Sequence, residues 1–412
     1  MRVIIFFLLI SLHSYAQEVL SHNFDVFINP AAKKVSVEGH VDADFQNKDT
    51  INFVLWKNTS IKEISCSGIL LDHNLDTLSS SPIMYIPNGR KLTILKAPGT
   101  ADIQSILFKY ECDMNELKGW ANSFTDNWIE LNFYCAWFPV NLNSRSFTSN
   151  LKIHIDDSYS ITGSGFVSKK NGYWEMTQPW TGFDNVIIAS KNLKSKVLKE
   201  DNILIHTSYN GNDFSDSDGD SILAECKYVM NLFQKSFGKM DSTYLKFVIA
   251  PFQQGGYSRK NFVCMRSKNF DLNTANGIAH EIAHFWWNKA VTTTWEDWLN
   301  EAFAEYSMLL YIRERKGLEE FIKKIAEYKN RTLNLPPVWG IERSAPDAYS
   351  VLYEKGSLIL YELEEIAGKT VFLNFLKEVS GSSIAKTEDL LNLMEKILTK
   401  EIRLELENKL KS

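Results

Sequence analysis

Past its opening residues the chain contains no apolar run near the roughly 20 residues needed to span a bilayer, so no internal transmembrane helix is expected. No long run of lysine and arginine occurs, and a formal net charge of −5 supplies no basic field, which argues against nucleic acid as a partner. Cysteine is scarce. The five present, Cys66, Cys112, Cys135, Cys226 and Cys264, are far apart and form no C-x-x-C pair, which excludes a thiolate metal cage and a dithiol redox motif. Their odd number leaves at least one thiol unpaired within the chain, and most are expected to be small buried hydrophobes. Internal repeats and low-complexity tracts are also missing. What is left, 412 residues of which 44% are hydrophobic and 23% charged, is globular composition at a length that accommodates two or three cores.

The one apolar run is the opening "MRVIIFFLLISLHSYAQ": basic Arg2, an apolar stretch from Val3 to Leu12, then small residues at Ser14 and Ala16. This tripartite pattern predicts a cleaved secretory signal over residues 1–16, with Gln17 as the mature start. The expected location is periplasmic or secreted, with no integral membrane segment after cleavage.

Residues 17–199 read as an all-β domain. "VSVEGHVDADF", "INFVLW", "LTILKA", "DIQSILFKYE" and "LKIHI" are short segments rich in β-branched and aromatic residues, separated by Asn, Asp, Gly and Pro clusters. The pattern changes near residue 200, after the lysine-rich "SKNLKSKVLKEDN". Helical spacing then begins with "SILAECKYVMNLFQKSFG", which ends at Gly238. "YLKFVIAPF" predicts a strand, the segment through His280 and His284 a helix, and "WEDWLNEAFAEYSMLLYIRERKG" a second helix capped by Thr294. The tail "TEDLLNLMEKILTKEIRLELENKL" predicts an amphipathic docked helix with Thr387 as its cap.

The chemistry concentrates in "HEIAHFWWNKAVTTTWEDWLNEAFAEY". Residues four apart on a helix share a face, so His280 and His284 can direct two imidazoles at one ion at the roughly 2.0–2.1 Å of a Zn–N bond. Glu281, one residue on, is placed to reach a water beside the metal rather than the metal itself. A buried helix could spell the same five letters, so the third ligand decides. Glu301, seventeen residues after His284, can return over the first helix on an antiparallel second one. Glu305, one turn further, is the competing ligand, or a carboxylate that orients a histidine.

"HEIAH" followed by "WLNEAFAEY" resembles the zinc signature of the gluzincin aminopeptidases, the family of membrane alanyl aminopeptidase and leukotriene hydrolase: H-E-x-x-H, an eighteen-residue spacer, then N-E-G-F-A. Here the spacer is sixteen residues and Ala302 replaces the glycine. Phe303 occupies the nominal spacing and cannot bind zinc, so the resemblance makes Glu301 the third ligand and implies a shortened interhelical loop. "YSVLYEKGSLILYELEEIAG" is similar to the family's Y-E-K-G segment, whose tyrosine stabilises the tetrahedral oxyanion; the matching residue is Tyr353. The resemblance implies an α+β chain: a saddle-like N-terminal β-domain, then a thermolysin-like, mostly α catalytic domain over 200–412, without the large C-terminal helical domain of longer members. It implies one zinc ion per chain and a peptide substrate; it does not give an oligomeric state.

One departure stands out. The family carries G-x-M-E-N on an edge strand before the histidines, and its glutamate holds the substrate's free α-amine. The corresponding residues here are Gly255, Gly256, Tyr257, Ser258 and Arg259, with serine where the carboxylate belongs and a cation after it. A serine holds an ammonium weakly and an adjacent guanidinium repels it. Glu130, in "WIELNFYCAWFP", is a candidate second amine-binding residue from the β-domain. Arg259 is a candidate for binding a substrate carboxylate. Three readings follow: an aminopeptidase-like metallopeptidase with altered amine recognition, a zinc endopeptidase or other amide hydrolase, and a catalytically silent peptide-binding protein.

Overall fold

Alternation of apolar and polar residues builds the first half of the chain. Along Lys34–Asp44, Val35, Val37, Val41 and Ala43 are buried while the residues between them face outward, as the two-residue period of a strand requires. The computed structural model describes residues 18–119, 121–143, 146–200, 203–240, 244–252 and 255–412. The leader expected over residues 1–16 lies outside the described residues.

The chain divides into two units, Met1–Lys191 and Asn192–Ser412. In the first, an eight-stranded sheet runs in the order Phe166–Lys170, Tyr173–Gly182, Phe147–His154, Glu18–Asn29, Lys34–Asp44, Ile103–Asp113, Thr59–Cys66 and Ile69–Leu70. Two four-stranded sheets complete it. Its core gathers large aromatics, among them Trp56, Phe108, Trp137 and Phe138. Cys112 and Cys135 are buried thiols of this unit, and all five cysteines are unpaired with one another. Burial pushes both thiols up to about 12, so they behave as hydrophobes rather than nucleophiles.

The second unit opens on a five-stranded sheet in the order Leu193–Glu200, Ile203–Asn210, Tyr244–Ala250, Phe262–Arg266, Gly255–Arg259. The division falls earlier than the change of pattern near residue 200. Within the lysine-rich stretch, Leu193–Glu200 is the sheet's first strand, paired antiparallel with Ile203–Asn210, so its polarity marks a sheet edge. Helix α1 (Asp216–Phe237) starts at a Ser215–Asp218 capping box and stops at Gly238, whose φ of 95° ends the helix.

Helix α2 (Leu272–Ala283) is capped by Asp271, and α3 (Trp298–Tyr311) returns against it. Residues 295–297 form a 3-10 turn leading into α3, and Thr294 makes no side-chain capping bond, so the expected cap is replaced by a tightened first turn. Nearly all of α3 is buried; Trp298 is fully enclosed, and truncating such a residue to alanine costs about 3–5 kcal/mol. A π-turn over Ile312–Lys316 follows, then α4 (Leu318–Thr332), a second π-turn over Ser350–Lys355, α5 (Gly356–Ala367) and α6 (Lys369–Gly381). The tail is two helices, α7 (Thr387–Ile397) and α8 (Lys400–Lys411). Thr387 is the first residue of α7 rather than its cap: its hydroxyl donates to Glu296, and Thr399 caps α8. An all-β unit followed by a mostly helical one is the α+β class expected. Among the described residues no helix is long and apolar enough to cross a membrane.

Candidate active site

Helix α2 presents its histidines because its other faces are apolar: Ala275, Ile278, Ala279, Ile282 and Ala283 are buried in the unit's core. His280 and His284 therefore project together from the remaining stripe, ring centroids 5.0 Å apart and nearly perpendicular. Each is oriented from behind. His284 Nδ1 lies 3.0 Å from the Trp287 carbonyl, which can only accept, so Nδ1 carries a proton and the neutral ring would offer Nε2 to a metal. His280 Nδ1 lies 2.7 Å from Glu305 Oε2 and donates in the same way. Glu305 in turn accepts a hydrogen bond from the Tyr328 hydroxyl.

Both free Nε2 atoms face Glu301. Its Oε2 lies 3.4 Å from His280 Nε2 and 3.3 Å from His284 Nε2. Ligand atoms held at about 2.0–2.1 Å from a tetrahedral zinc stand about 3.3–3.4 Å apart. These three side chains therefore fit the group the motif implies, and they form the one His/Cys/Asp/Glu cluster of metal-binding geometry among the described residues. The same Oε2 is buried and lacks a hydrogen-bond partner, which a cation would supply. Charge agrees: burial alone would lower His280, but the neighbouring carboxylates of Glu301 and Glu305 carry it well above the ordinary histidine value. Glu301 is held far below the ordinary carboxylate range, against its own burial, by His284 and His280. Glu305, the alternative ligand, sits on the far side of His280 from this gap.

The chain shortens the loop between the two helices and braces it with Asn300. That side chain donates from Nδ2 to the Ala290 carbonyl at 3.1 Å and to Asp297 Oδ1 at 2.9 Å, and accepts from the Ala290 amide at 3.0 Å. Fixing the loop at the residue before Glu301 holds the carboxylate over α2 despite the missing two residues. Ala302, where the motif has glycine, is accommodated across the interface. Gly356 of α5 packs so close that a methyl carbon there would fall 2.6 Å from Ala302 Cβ.

Glu281 is buried at the end of the edge strand's reach. A methyl carbon on Gly256 would fall 2.7 Å from Glu281 Cδ, so any side chain at this point of the strand would have to displace the Glu281 carboxylate. Burial raises the Glu281 carboxyl above its ordinary range, opposed by the charges of His280 and His284. Strand alternation puts Ser258 on the Gly256 face and Tyr257 and Arg259 on the other. Arg259 stacks over the Tyr257 ring at 4.6 Å and donates to the Ser258 carbonyl at 2.8 Å.

Tyr353 sits in the second π-turn, its ring parallel to His280 at 5.8 Å and 4.4 Å from that of Tyr349. Burial, then the charge of Glu301, pushes its phenol well above 10.0, so it remains an O–H donor. The helix α2 pair, Glu301, Glu281 and Tyr353 thus converge. Glu130 belongs to the first unit, buried in the strand Ile129–Leu131, where Oε2 accepts from Trp128 Nε1 at 3.3 Å. Sequence reasoning missed Tyr328, Asp297 and Arg343, each brought in by tertiary packing with no local motif to announce it.

Residues 258–408 match the peptidase family M1 domain. Over 126 residues the chain is 37% identical to leukotriene A-4 hydrolase of Xenopus laevis, covering 26% of this chain and 20% of that protein. Over 160 residues it is 31% identical to leucine aminopeptidase 2 of Yarrowia lipolytica, covering 32% and 24%. The match thus spans a quarter or less of these relatives' own length. In fold the chain is similar to the M1 zinc metallopeptidase from Deinococcus radiodurans, with a TM-score of 0.73 at 16% identity over 96% of this chain and 94% of that one. It is also similar to native leukotriene A4 hydrolase from Saccharomyces cerevisiae, with a TM-score of 0.69 at 16% identity over 94% and 66%. Residues 258–408 thus carry the M1 domain match, and the chain as a whole shares the fold of M1 zinc metallopeptidases.

Proposed function

We propose that this chain is an exported zinc-dependent metallopeptidase, aminopeptidase-like, with altered recognition of the substrate's N-terminal amine. The observation that carries the reading is the spacing of 3.3 and 3.4 Å between Glu301 Oε2 and the two imidazole Nε2 atoms, with Glu281 wedged beside them. His280, His284 and Glu301 would hold one zinc ion. When bound, zinc supplies Lewis-acid polarisation of the scissile carbonyl and lowers the pKa of water at the site to about 7.

The protein's own groups do the rest. Glu281 takes a proton from the attacking water and returns it to the leaving amine as the C–N bond breaks. Its raised pKa suits this exchange, being closer to neutrality than an ordinary carboxylate. Tyr353 donates its O–H to the carbonyl oxygen as negative charge develops; losing one such donor costs about 10²–10³ in kcat. Gly255, Gly256, Tyr257, Ser258 and Arg259 form the strand along which substrate would lie, and Glu130 is the remaining candidate for the amine. Export rests on the leader of residues 1–16.

A second reading, a zinc endopeptidase or other amide hydrolase, is favoured by one observation: Ser258 and not a carboxylate occupies the Gly256 face of the strand. The test compares free and N-acetylated peptides on protein of measured zinc content. Cleavage of the free peptides with one zinc per chain is expected. Preference for blocked peptides would replace the aminopeptidase reading with the endopeptidase one. Stoichiometric zinc with no hydrolysis across a broad library would leave a peptide-binding protein. Glu281→Gln should keep zinc while lowering turnover by at least about 10²-fold; full activity in that variant would sink the mechanism.

A further inference from the structure

Behind Tyr353 stands a guanidinium. Arg343 Nε donates to Asp297 Oδ2 at 2.8 Å, and its Nη2 donates to the Tyr353 hydroxyl at 3.4 Å. Asp297 is 1% exposed and Arg343 17%. The other oxygen of Asp297 takes the Asn300 amide at 2.9 Å, so both of its oxygens are engaged and the carboxylate cannot turn. A buried carboxylate with both oxygens bonded is a rigid post, and a planar fork gripping it transmits that rigidity along its length.

Tyr353 needs such a hold. Its ring plane is set by stacking on His280 and Tyr349, but stacking leaves the hydroxyl hydrogen free to swing around the C–O bond. A guanidinium is a donor only. When it donates to the phenol oxygen it occupies a lone pair and repels the phenol's own hydrogen, which must then point away from Arg343. We propose that Arg343, anchored by Asp297, is a positioning residue that holds the Tyr353 hydroxyl as a donor toward the reacting carbonyl. The inference rests on the metallopeptidase reading above. It links the oxyanion donor to the loop that sets Glu301, since Asn300 bonds both Asp297 and Ala290. One brace therefore fixes a metal-ligand helix and the oxyanion donor together.

A double-mutant cycle tests this, with zinc content and thermal melting recorded for every protein. Arg343→Met should lower kcat by about ten- to a hundredfold with little change in KM, the range expected when a reacting group is misplaced by about 1 Å. In a Tyr353→Phe background the same substitution should cost nothing further, because Arg343 acts through the missing hydroxyl. Arg343→Lys keeps the charge but not the two-sided fork and should fall with Arg343→Met. Multiplying losses would place Arg343 on the substrate itself and overturn the proposal, as would wild-type kcat in Arg343→Lys. If Arg343→Met fails to fold, the Arg343→Lys and Tyr353→Phe cycle carries the same decision. An inactive, zinc-loaded wild type would instead defeat the underlying metallopeptidase reading.

Discussion

The backbone of Gly256 lies against the carboxylate of Glu281, close enough that a single added methyl carbon would sit 2.7 Å from Glu281 Cδ. The Glu281 side chain occupies the space that a side chain on Gly256 would need, so the absence of one there leaves room for the proposed base. Gly256→Ala should push Glu281 out of line and lower kcat by about 10²-fold while zinc content stays at wild type. Activity and metal assays on one preparation check this; an active alanine variant would mean that the strand yields and does not position the base.

Glu305 predicts a different signature. It touches His280 from behind and faces away from the gap among the three ligand atoms. Replacing it with glutamine leaves an acceptor but removes the charge that makes the imidazole a better ligand. Zinc affinity should fall by about 10- to 100-fold, measured by chelator competition, and saturating zinc should restore most of the turnover. A glutamine variant with unchanged affinity would show that the contact only fills space.

Acidity should govern metal loading. Zinc requires both imidazoles neutral, yet in the metal-free chain the carboxylates hold His280 and His284 above the ordinary 6.5. A raised folded-state pKa contributes stability that is fully present below 6.5 and lost as pH rises through the raised value. The metal-free protein is therefore expected to lose this contribution as pH rises, whereas the stabilisation conferred by added zinc should grow over the same window. Melting temperatures with and without zinc between about pH 6 and 9 decide it; parallel curves would contradict the assignment.

Ser258 is the simplest route to changing substrate choice. It lies on the Gly256 face of the edge strand, where a carboxylate would meet an incoming ammonium. Ser258→Glu should raise the preference for free over N-acetylated peptides by about tenfold, the worth of one charge-assisted hydrogen bond. No shift would mean that Ser258 does not face the substrate's amine.

Much of this candidate site's grouping is legible in the sequence. Helical period alone put His280, Glu281 and His284 on one turn, and the Asn-Glu-x-Phe-Ala setting picked Glu301 against the count of residues. Spacing could not separate Glu301 from Glu305; the direction of each histidine's other nitrogen does, because Nδ1 of His280 is spent on Glu305. Asp297 and Arg343 were illegible for a plain reason. They meet 46 residues apart in the chain, across a turn whose path no local pattern dictates. The π-turn around Tyr353 was equally hidden, since the residues Ser350–Lys355 would suit a regular helix. The lysines of Leu193–Glu200 drew the boundary too late, because they line a strand of the second unit and do not end the first.

Those lysines bear on how the molecule avoids its own kind. Among the described residues the five-stranded sheet has two border strands, Leu193–Glu200 and Gly255–Arg259, and a border strand is where another copy could template. On the Leu193–Glu200 border Lys194 and Lys196 pair with Asp216 and Asp220 of helix α1, which leaves that border densely charged. The Gly255–Arg259 border, five residues long, carries no such plating beyond its terminal arginine, and brevity is its main protection. A second copy adding a strand at that border would press on the strand whose Gly256 lies against Glu281.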